Sequence, residues 1–195
     1  MRTLIISNAN TFPTLLCQTF PDHKVISYNE IAGVDETLFD SAVLSGSSDF
    51  PLQGNEKKFA DEIAFLQKTS LPVLGICYGF ELIVIAFGGT LKSLPHKEQG
   101  VGRMVIKVQD PIFHTVDELF VYEGHRWVAD MIPACLVELA SSSHGVEVVK
   151  HREKLMYGFQ FHPEKLQRET AGGVILKNFE SIVSLGGFRK IRSLF

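Results

Sequence analysis

The chain has 195 residues, of which 45% are hydrophobic and 21% are charged, and its formal net charge is −3. These values are typical of a globular enzyme and predict a single domain over residues 1–195 with one buried core. The small negative charge argues against binding to nucleic acid or to an anionic membrane surface, since both favour a basic protein. Three cysteines without paired spacing argue against a disulfide framework and favour a reducing compartment.

No targeting or membrane segment is expected. The N-terminal apolar run Leu4–Ile6 is too short for the core of a signal peptide. The longest apolar stretch, about residues 71–91, contains Glu81 and four glycines, so it does not predict a membrane span. We therefore expect a cytoplasmic protein.

Strand-like and helix-like segments alternate along the first half of the chain. This alternation predicts an α/β fold with a mainly parallel open sheet and helices on both faces. The predicted elements of this half are strands at 3–7, 25–28, 42–45 and 73–76, and helices at 12–20, 56–68 and 78–87.

The second half is richer in strand patterns, which we expect to add antiparallel strands beside the parallel core. The candidate strands lie at 104–108, 119–122, 136–140 and 146–149. An apolar stripe predicts a last helix over 173–185, which Gly186 and Gly187 would end. Cys17, in a predicted helix, and Cys135, in a predicted strand, are interpreted as packing residues.

One segment predicts a reactive thiol. Residues 73–81 read Val-Leu-Gly-Ile-Cys-Tyr-Gly-Phe-Glu, so an apolar strand runs into Gly-x-Cys-x-Gly and then into a helix. Such an elbow presents a nucleophile at a sharp turn. The helix N-terminus would stabilise a Cys77 thiolate, and the N–H of Tyr78 could hold an oxyanion. The alternative is a small buried cysteine that only packs.

A candidate base follows in Tyr157-Gly158-Phe159-Gln160-Phe161-His162-Pro163-Glu164. His162 ends an apolar, aromatic strand, and Pro163 breaks the ladder there. Glu164 could turn back and hold the imidazole in one tautomer. Nucleophile, base and orienting carboxylate would then be Cys77, His162 and Glu164. A histidine at a strand end could otherwise be a surface or capping residue.

These motifs resemble those of the class I, or triad, glutamine amidotransferases, whose pattern is Gly-x-Cys-x-Gly followed by a later His-Pro-Glu. Residues 43–48, Val-Leu-Ser-Gly-Ser-Ser, occupy the place of the family's Leu-Ser-Gly-Gly-Pro oxyanion loop. Residues 87–90, Phe-Gly-Gly-Thr, match the end of the elbow helix. The resemblance extends from Thr3 to about Gly186.

The resemblance implies further site residues. Backbone N–H groups of Ser47 and Tyr78 would form the oxyanion hole. The residues expected at the substrate are Gly46, Gly79, Glu81, His125 and Arg126. For the last two, a packed surface turn and a solvated arginine are the alternatives.

Two positions depart from the family pattern. Relatives have Gly at position 47 and usually Pro at 48, so Ser47 would add backbone strain or displace the donor if φ must be positive there. Many relatives have Gln at position 81, one helical turn after the nucleophile. Glu81 could bind an α-ammonium group but would oppose a thiolate, and it could select among γ-glutamyl compounds. A Glu81 that points outward or pairs with a basic neighbour is the alternative.

The implied reaction is hydrolysis of the side-chain amide of L-glutamine through a Cys77 thioester. No cofactor is expected, and no metal site, because the seven His and three Cys form no recognised zinc-ligand spacing. The resemblance also implies a separate ammonia-accepting synthetase subunit, as in two-chain guanosine monophosphate synthetases. The basic segment 189–192 could dock on it or be a solvated end.

Two other functions stay open. One is a γ-glutamyl hydrolase that uses the same triad on γ-glutamyl amines or peptides. The other is a catalytically silent binding subunit, against which the intact Cys77, His162 and Glu164 argue.

Overall fold

The computed structural model describes the backbone of residues 1–9 and 13–192 and the side chains of those residues up to Gly186. Nine strands of this part of the chain form one sheet in the order β2-β1-β3-β4-β11-β10-β9-β6-β7, and β5 pairs with β8 in a second sheet. The strands are β1 Thr3–Ser7, β2 His23–Ser27, β3 Ser41–Leu44, β4 Val73–Ile76, β5 Thr90–Ser93, β6 Gly100–Ile106, β7 Leu119–Glu123, β8 Trp127–Met131, β9 Leu136–Ser141, β10 Val146–His151 and β11 Met156–Phe159. The helices are α1 Thr14–Thr19, α2 Ala60–Lys68, α3 Tyr78–Ala86 and α4 Gly172–Arg192.

The large sheet is parallel in one half and antiparallel in the other. β2, β1, β3, β4 and β11 run parallel, whereas β11, β10, β9, β6 and β7 pair antiparallel in succession. Continuous burial along β1, β3 and β4 accounts for their unbroken apolar sequences, because both faces of a parallel sheet are covered. The fold class predicted from the sequence is confirmed.

Each face of the sheet carries its own apolar core, because successive side chains of a strand point to opposite sides. Leu4 and Ile6 pack in the core that α2 and α3 cover. Ile5, between them, packs in the core that α1 and α4 cover. The helices therefore lie on both faces, as predicted.

Several element bounds differ from the predictions. The segment predicted as one helix over 56–68 is a 3-10 turn, Glu56–Phe59, followed by α2. Tyr28 opens a 3-10 helix instead of ending β2. Cys135 lies in a turn before β9, although it packs against the core as expected. The predicted start of the first helix at Phe12 falls outside the described residues.

The prediction that Gly186 and Gly187 end the last helix is wrong. α4 continues to Arg192, and Gly186 does not have the positive φ of a helix C-cap. Without that left-handed residue, a glycine continues the helical backbone at only a modest cost in conformational entropy. The side chains of 189–192, considered as a docking segment, lie outside the described side chains.

The second sheet was not predicted. β5 exposes three of its four residues, and only Leu91 is buried, so its sequence carries almost no apolar signal. Within the described residues, no helix combines the length and apolar character needed to cross a membrane.

Candidate functional site

Cys77 lies between β4 and α3 with a backbone conformation of φ 51° and ψ −97°. A positive φ is unfavourable for a residue with a side chain, so the turn is strained, as a nucleophile elbow requires. Two glycines permit it. A Cβ at Gly75 would lie 2.5 Å from the carbonyl oxygen of Gly79, and a Cβ at Gly79 would lie 2.6 Å from that of Leu44. The expected elbow is present.

His162 and Glu164 form a hydrogen-bonded pair. Imidazole Nδ1 and carboxylate Oε1 are 2.7 Å apart, and both side chains are about nine-tenths buried. β11 ends at Phe159, earlier than predicted, and the N–H of His162 donates instead to the carbonyl oxygen of Tyr122 on β7. Two hydrogen bonds therefore hold His162, one at its backbone N–H and one at its Nδ1.

Two glycines allow His162 to lie close to the elbow. A Cβ at Gly46 would lie 2.8 Å from His162 Cε1 and 3.4 Å from Cys77 Cβ. A Cβ at Gly124 would lie 3.2 Å from His162 Nε2. Gly46 therefore contacts both Cys77 and His162, while Gly124 covers the other side of the ring. Sequence reasoning did not single out Gly124.

A cleft of about 320 Å³ opens beside the imidazole. It is large enough for an amino acid and is lined by polar and apolar groups, as small-molecule sites are. Two lysines, Lys97 and Lys165, stand on its wall, and neither was predicted at the site. The other lining residues that bear on the chemistry are Ser45, Gly46, Ser47, Gly124, His162 and Glu164.

The pKa of the Cys77 thiol is raised far above its ordinary value. Burial is the main cause, and the carboxylates of Glu81 and Glu164 add to it, while the N–H of Tyr78 and the charge of Lys165 lower it by less. The expected net stabilisation of a thiolate by the helix N-terminus is therefore wrong for this conformation. The N–H contributes in the predicted direction, but desolvation outweighs it.

The loop after β3 has an ordinary backbone at Ser47. The described non-glycine residues with positive φ are Cys77, Thr115 and Leu166, so the strain considered for Ser47 is absent. Asn8 holds the loop from the end of β1. Its N–H donates to Ser45 Oγ at 2.9 Å, and its side-chain amide donates to the Ser45 carbonyl at 3.1 Å. Asn8 was also missed by sequence reasoning.

Glu81 is buried in α3, with 4% of its surface exposed. Burial raises its pKa to about 7, although an interaction with the Gln160 side chain and the charge of His125 both lower it. It is not among the residues that line the cleft. The alternative in which Glu81 points outward is therefore wrong, and it faces polar neighbours inside the protein.

The other expected substrate residues are dispersed. His125 is buried, and its Nδ1 donates to the carbonyl oxygen of Trp127 at 3.1 Å. Arg126 is exposed, and neither residue lines the cleft. Gly79 packs against the Leu44 backbone. Of the five, Gly46 alone lines the cleft.

Comparison with known proteins gives relatives of similar size, which are named as one of the subunits of glutamine-hydrolysing GMP synthases. The subunit from Methanococcus vannielii is 42% identical over 139 residues, which cover 70% of each chain. The corresponding subunit from Methanocaldococcus jannaschii is 32% identical over 163 residues, covering 83% of this chain and 79% of the relative.

A solved structure has the same fold. A candidate GMP synthase subunit from Thermoplasma acidophilum superimposes with a TM-score of 0.86 at 24% identity, covering 99% of this chain and 98% of the other. The family model for class-I glutamine amidotransferases matches residues 16–182. The resemblance noted in the motifs is confirmed, and the chain belongs to the class-I glutamine amidotransferase family.

Proposed function

We propose that this protein hydrolyses the side-chain amide of L-glutamine to glutamate and ammonia, with Cys77, His162 and Glu164 as its catalytic triad. One observation carries the proposal. Gly46 contacts both Cys77 and His162, and His162 is hydrogen-bonded to Glu164 at the edge of a cleft. Family membership supports the same reaction.

In the proposed first step, the Cys77 sulfur attacks the amide carbon of glutamine and the thiol proton passes to His162. The raised pKa of the buried thiol makes this base necessary, because little free thiolate is available beforehand. His162 then gives the proton to the leaving nitrogen, so that ammonia departs and a γ-glutamyl thioester forms. Water activated by His162 hydrolyses the thioester and frees glutamate. Glu164 keeps the imidazole oriented throughout.

The oxyanion would be held by the backbone N–H groups of Tyr78 and Ser47. Tyr78 begins α3, where free N–H groups are available, and Ser47 lines the cleft with an ordinary backbone conformation. Lys97 and Lys165 give the wall of the cleft a positive charge, which suits the α-carboxylate of an amino acid substrate.

We further propose that residues 1–195 form a single cytoplasmic amidotransferase domain that passes its ammonia to a separate synthetase subunit. The relatives from the two methanogens are named as subunits of glutamine-hydrolysing GMP synthases, which implies a second chain in those enzymes. The partner of this protein would then be the chain that aminates the nucleotide.

The proposal is tested by measuring the glutamate and ammonia that the purified chain releases from L-glutamine. The Cys77→Ala variant and a panel of γ-glutamyl amines and dipeptides are measured in the same assay. We expect the parent chain to release glutamate and ammonia in equal amounts and Cys77→Ala to release neither. Mass spectrometry after treatment with a glutamine-analogue electrophile should find the adduct on Cys77.

Other outcomes assign other functions. Faster cleavage of γ-glutamyl amines or peptides than of glutamine would favour a γ-glutamyl hydrolase. If neither the chain alone nor the chain with the synthetase subunit of a two-chain GMP synthase turns over any substrate, and Cys77 stays unlabelled, a silent binding subunit is the better description.

A further inference from the structure

A second group of titratable side chains lies behind His162, at the ends of β7 and β10. Glu123 ends β7, His125 follows it in the loop to β8, and Glu147 lies in β10. All three are at least nine-tenths buried. One nitrogen or oxygen atom from each lies within 4.8 Å of those from the other two. The proposed hydrolysis of glutamine does not use this cluster.

The hydrogen bond of His125 fixes which of its nitrogens carries a proton. Nδ1 donates to the Trp127 carbonyl oxygen, so in the neutral ring Nε2 has a free lone pair. Nε2 lies 3.5 Å from Glu123 Oε2 and 3.9 Å from Glu147 Oε1, the oxygen that also accepts a hydrogen bond from Ser142 Oγ. Metal-binding histidines are held in this way, with one nitrogen bonded to a carbonyl and the other free for the ion.

Both separations are too long for hydrogen bonds; the one of 3.5 Å equals the spacing of two ligands around a zinc ion, and the one of 3.9 Å is slightly longer. A proton on Nε2 would have to reach its acceptors across 3.5 Å and 3.9 Å, beyond the usual limit of about 3.2 Å. Ligands at about 2.0–2.2 Å from a tetrahedral zinc ion lie about 3.3–3.6 Å from one another. Glu123 Oε2, His125 Nε2 and Glu147 Oε2 have no hydrogen-bond partner among the described residues.

A glycine accommodates the Glu123 carboxylate, and two partly exposed side chains connect the cluster with the surface. A Cβ at Gly102 would collide with Glu123 Oε1, so the glycine leaves space for that carboxylate. His144, in the turn between β9 and β10, brings Nδ1 to 4.0 Å from Glu123 Oε2. Its other nitrogen lies 3.6 Å from Glu98 Oε1, and both side chains are about one-third exposed. An ion could therefore enter past His144 and Glu98.

We propose that Glu123, His125 and Glu147 bind a divalent transition metal ion of the zinc class, with His144 placed to complete the coordination. Imidazole together with carboxylate favours zinc over magnesium or calcium, which prefer oxygen ligands alone. The ion would balance the buried carboxylates, whose charge is otherwise costly away from water. The spacing of these ligands along the chain matches no zinc motif, which is why the sequence predicted no metal.

Such an ion would be structural and not catalytic. The proposed ligands lie outside the lining of the cleft, but Gly124, between two of them, contacts the His162 imidazole. The ion would tie the β7–β8 loop to β10 and so hold Gly124 against that ring. His125 would then be a positioning residue rather than a substrate contact.

Zinc binding to the chelator-stripped full chain tests the proposal without any activity assay. We expect one Zn²⁺ per chain by competition with a chromophoric chelator, undiminished in a Cys77→Ala background and not displaced by millimolar Mg²⁺ or Ca²⁺. Glu147→Gln and His144→Ala should each weaken binding by at least about 10-fold. Zn²⁺ should raise the thermal midpoint of the parent more than that of either variant.

Glu62→Gln is the matched control, because it makes the same change at another fully buried glutamate outside the cluster. It should bind zinc like the parent. If Glu147→Gln does not fold, by circular dichroism, the partly exposed His144→Ala decides the result. Binding well below one equivalent in the parent, or equal affinity in the parent and in the folded cluster variants, would overturn the proposal.

Discussion

Cys77 combines a strained backbone with a buried thiol, and the two have opposite effects on reactivity. The elbow places Cys77 Cβ beside Gly46, which also contacts His162. Burial and the neighbouring carboxylates meanwhile raise the pKa of the thiol and keep it protonated. Under the proposed mechanism, the reactivity of Cys77 therefore depends on proton transfer to His162 when substrate is bound, and not on a thiolate that is already present.

The pH dependence of Cys77 alkylation measures the raised pKa of the thiol directly. Because the pKa of Cys77 is raised, its reaction with iodoacetamide should be slow at pH 7 and still rise with pH above 9. Peptide mapping by mass spectrometry separates Cys77 from Cys17 and Cys135. Glu81→Gln should move the profile to lower pH, since the charge of Glu81 raises the thiol pKa. An alkylation rate that levels off near pH 7 would show that the pKa of Cys77 is not raised.

Gly46 lies between Cys77 and His162, the proposed nucleophile and base. A methyl group there would lie 2.8 Å from His162 Cε1 and displace the ring. We expect Gly46→Ala to lower kcat/KM for glutamine by about 100-fold or more, as misplacement of a catalytic group by about 1 Å does. The free energy of unfolding should fall by about 1–3 kcal/mol, the usual cost of overpacking, which leaves the variant folded for the assay.

Gly33→Ala is the control for Gly46→Ala, since a Cβ at Gly33 would have no neighbour within 4 Å. It should leave kcat/KM unchanged. Full activity in Gly46→Ala would mean that the imidazole adapts, and that Gly46 does not determine its position.

At the scale of elements, α3 approaches β3 so closely that only a glycine fits between them. A Cβ at Gly79 would lie 2.6 Å from the Leu44 carbonyl oxygen and 2.8 Å from Leu44 Cβ. Both partners belong to the rigid core, so neither can move aside cheaply. The elbow helix α3 therefore packs on the sheet at Gly79.

Gly79→Ala should destabilise the fold by about 1–3 kcal/mol, the usual cost of overpacking a core. Urea unfolding followed by circular dichroism measures it, with Gly33→Ala again as the control. If Gly79→Ala unfolds at the same urea concentration as the parent, the close approach of α3 to β3 is not a constraint.

The sequence predicted the elements and motifs that carry a local signal. The buried strands of the parallel half and the Cys77 elbow were found because apolar runs and glycines mark them. β5 was missed because it buries only Leu91. The length of α4 was underestimated because a Gly pair signals a helix end only when one glycine adopts a left-handed conformation.

Contacts between distant segments could not be predicted in the same way. Asn8 and Gly124 reach the site from β1 and from the loop after β7, and no spacing rule connects them with Cys77. The cluster of Glu123, His125 and Glu147 is likewise assembled by strand pairing. For Arg126 the sequence left two alternatives open, and the exposed side chain agrees with the solvated one.

For the whole molecule, the stability should depend on Glu62. This side chain of α2 is fully buried, and neither carboxylate oxygen has a hydrogen-bond partner by geometry among the described residues. Burial raises its pKa to about 8, while an interaction with the Asn8 side chain lowers it by less. The native state therefore keeps a proton on Glu62 that the unfolded chain releases above about pH 4.5.

Proton linkage gives the direction in which pH changes the stability. A carboxyl with a raised pKa stabilises the fold fully below pH 4.5, and this contribution falls as pH rises towards 8. We expect Glu62→Gln to match the parent within about 1 kcal/mol at pH 5. At pH 8.5 the variant should be more stable, by an amount on the order of 4 kcal/mol.

Denaturant unfolding of both proteins at pH 5 and pH 8.5 measures the effect of Glu62→Gln. Comparison at each pH cancels the contributions of other raised groups, such as Glu147. An identical difference in stability at the two pH values would show that Glu62 does not titrate between them.

The pairing of β4 with β11 has a consequence for folding. Val73 pairs with Met156, so the strand before Cys77 and the strand before His162 become neighbours only after a long segment of chain is in place. Closing such a long loop is slow compared with forming local structure. During synthesis on the ribosome, the segment that carries Cys77 therefore emerges well before the one that carries His162. If Cys77, His162 and Glu164 act as proposed, amide hydrolysis can begin only after β11 and the residues that follow it have been synthesised and have joined β4.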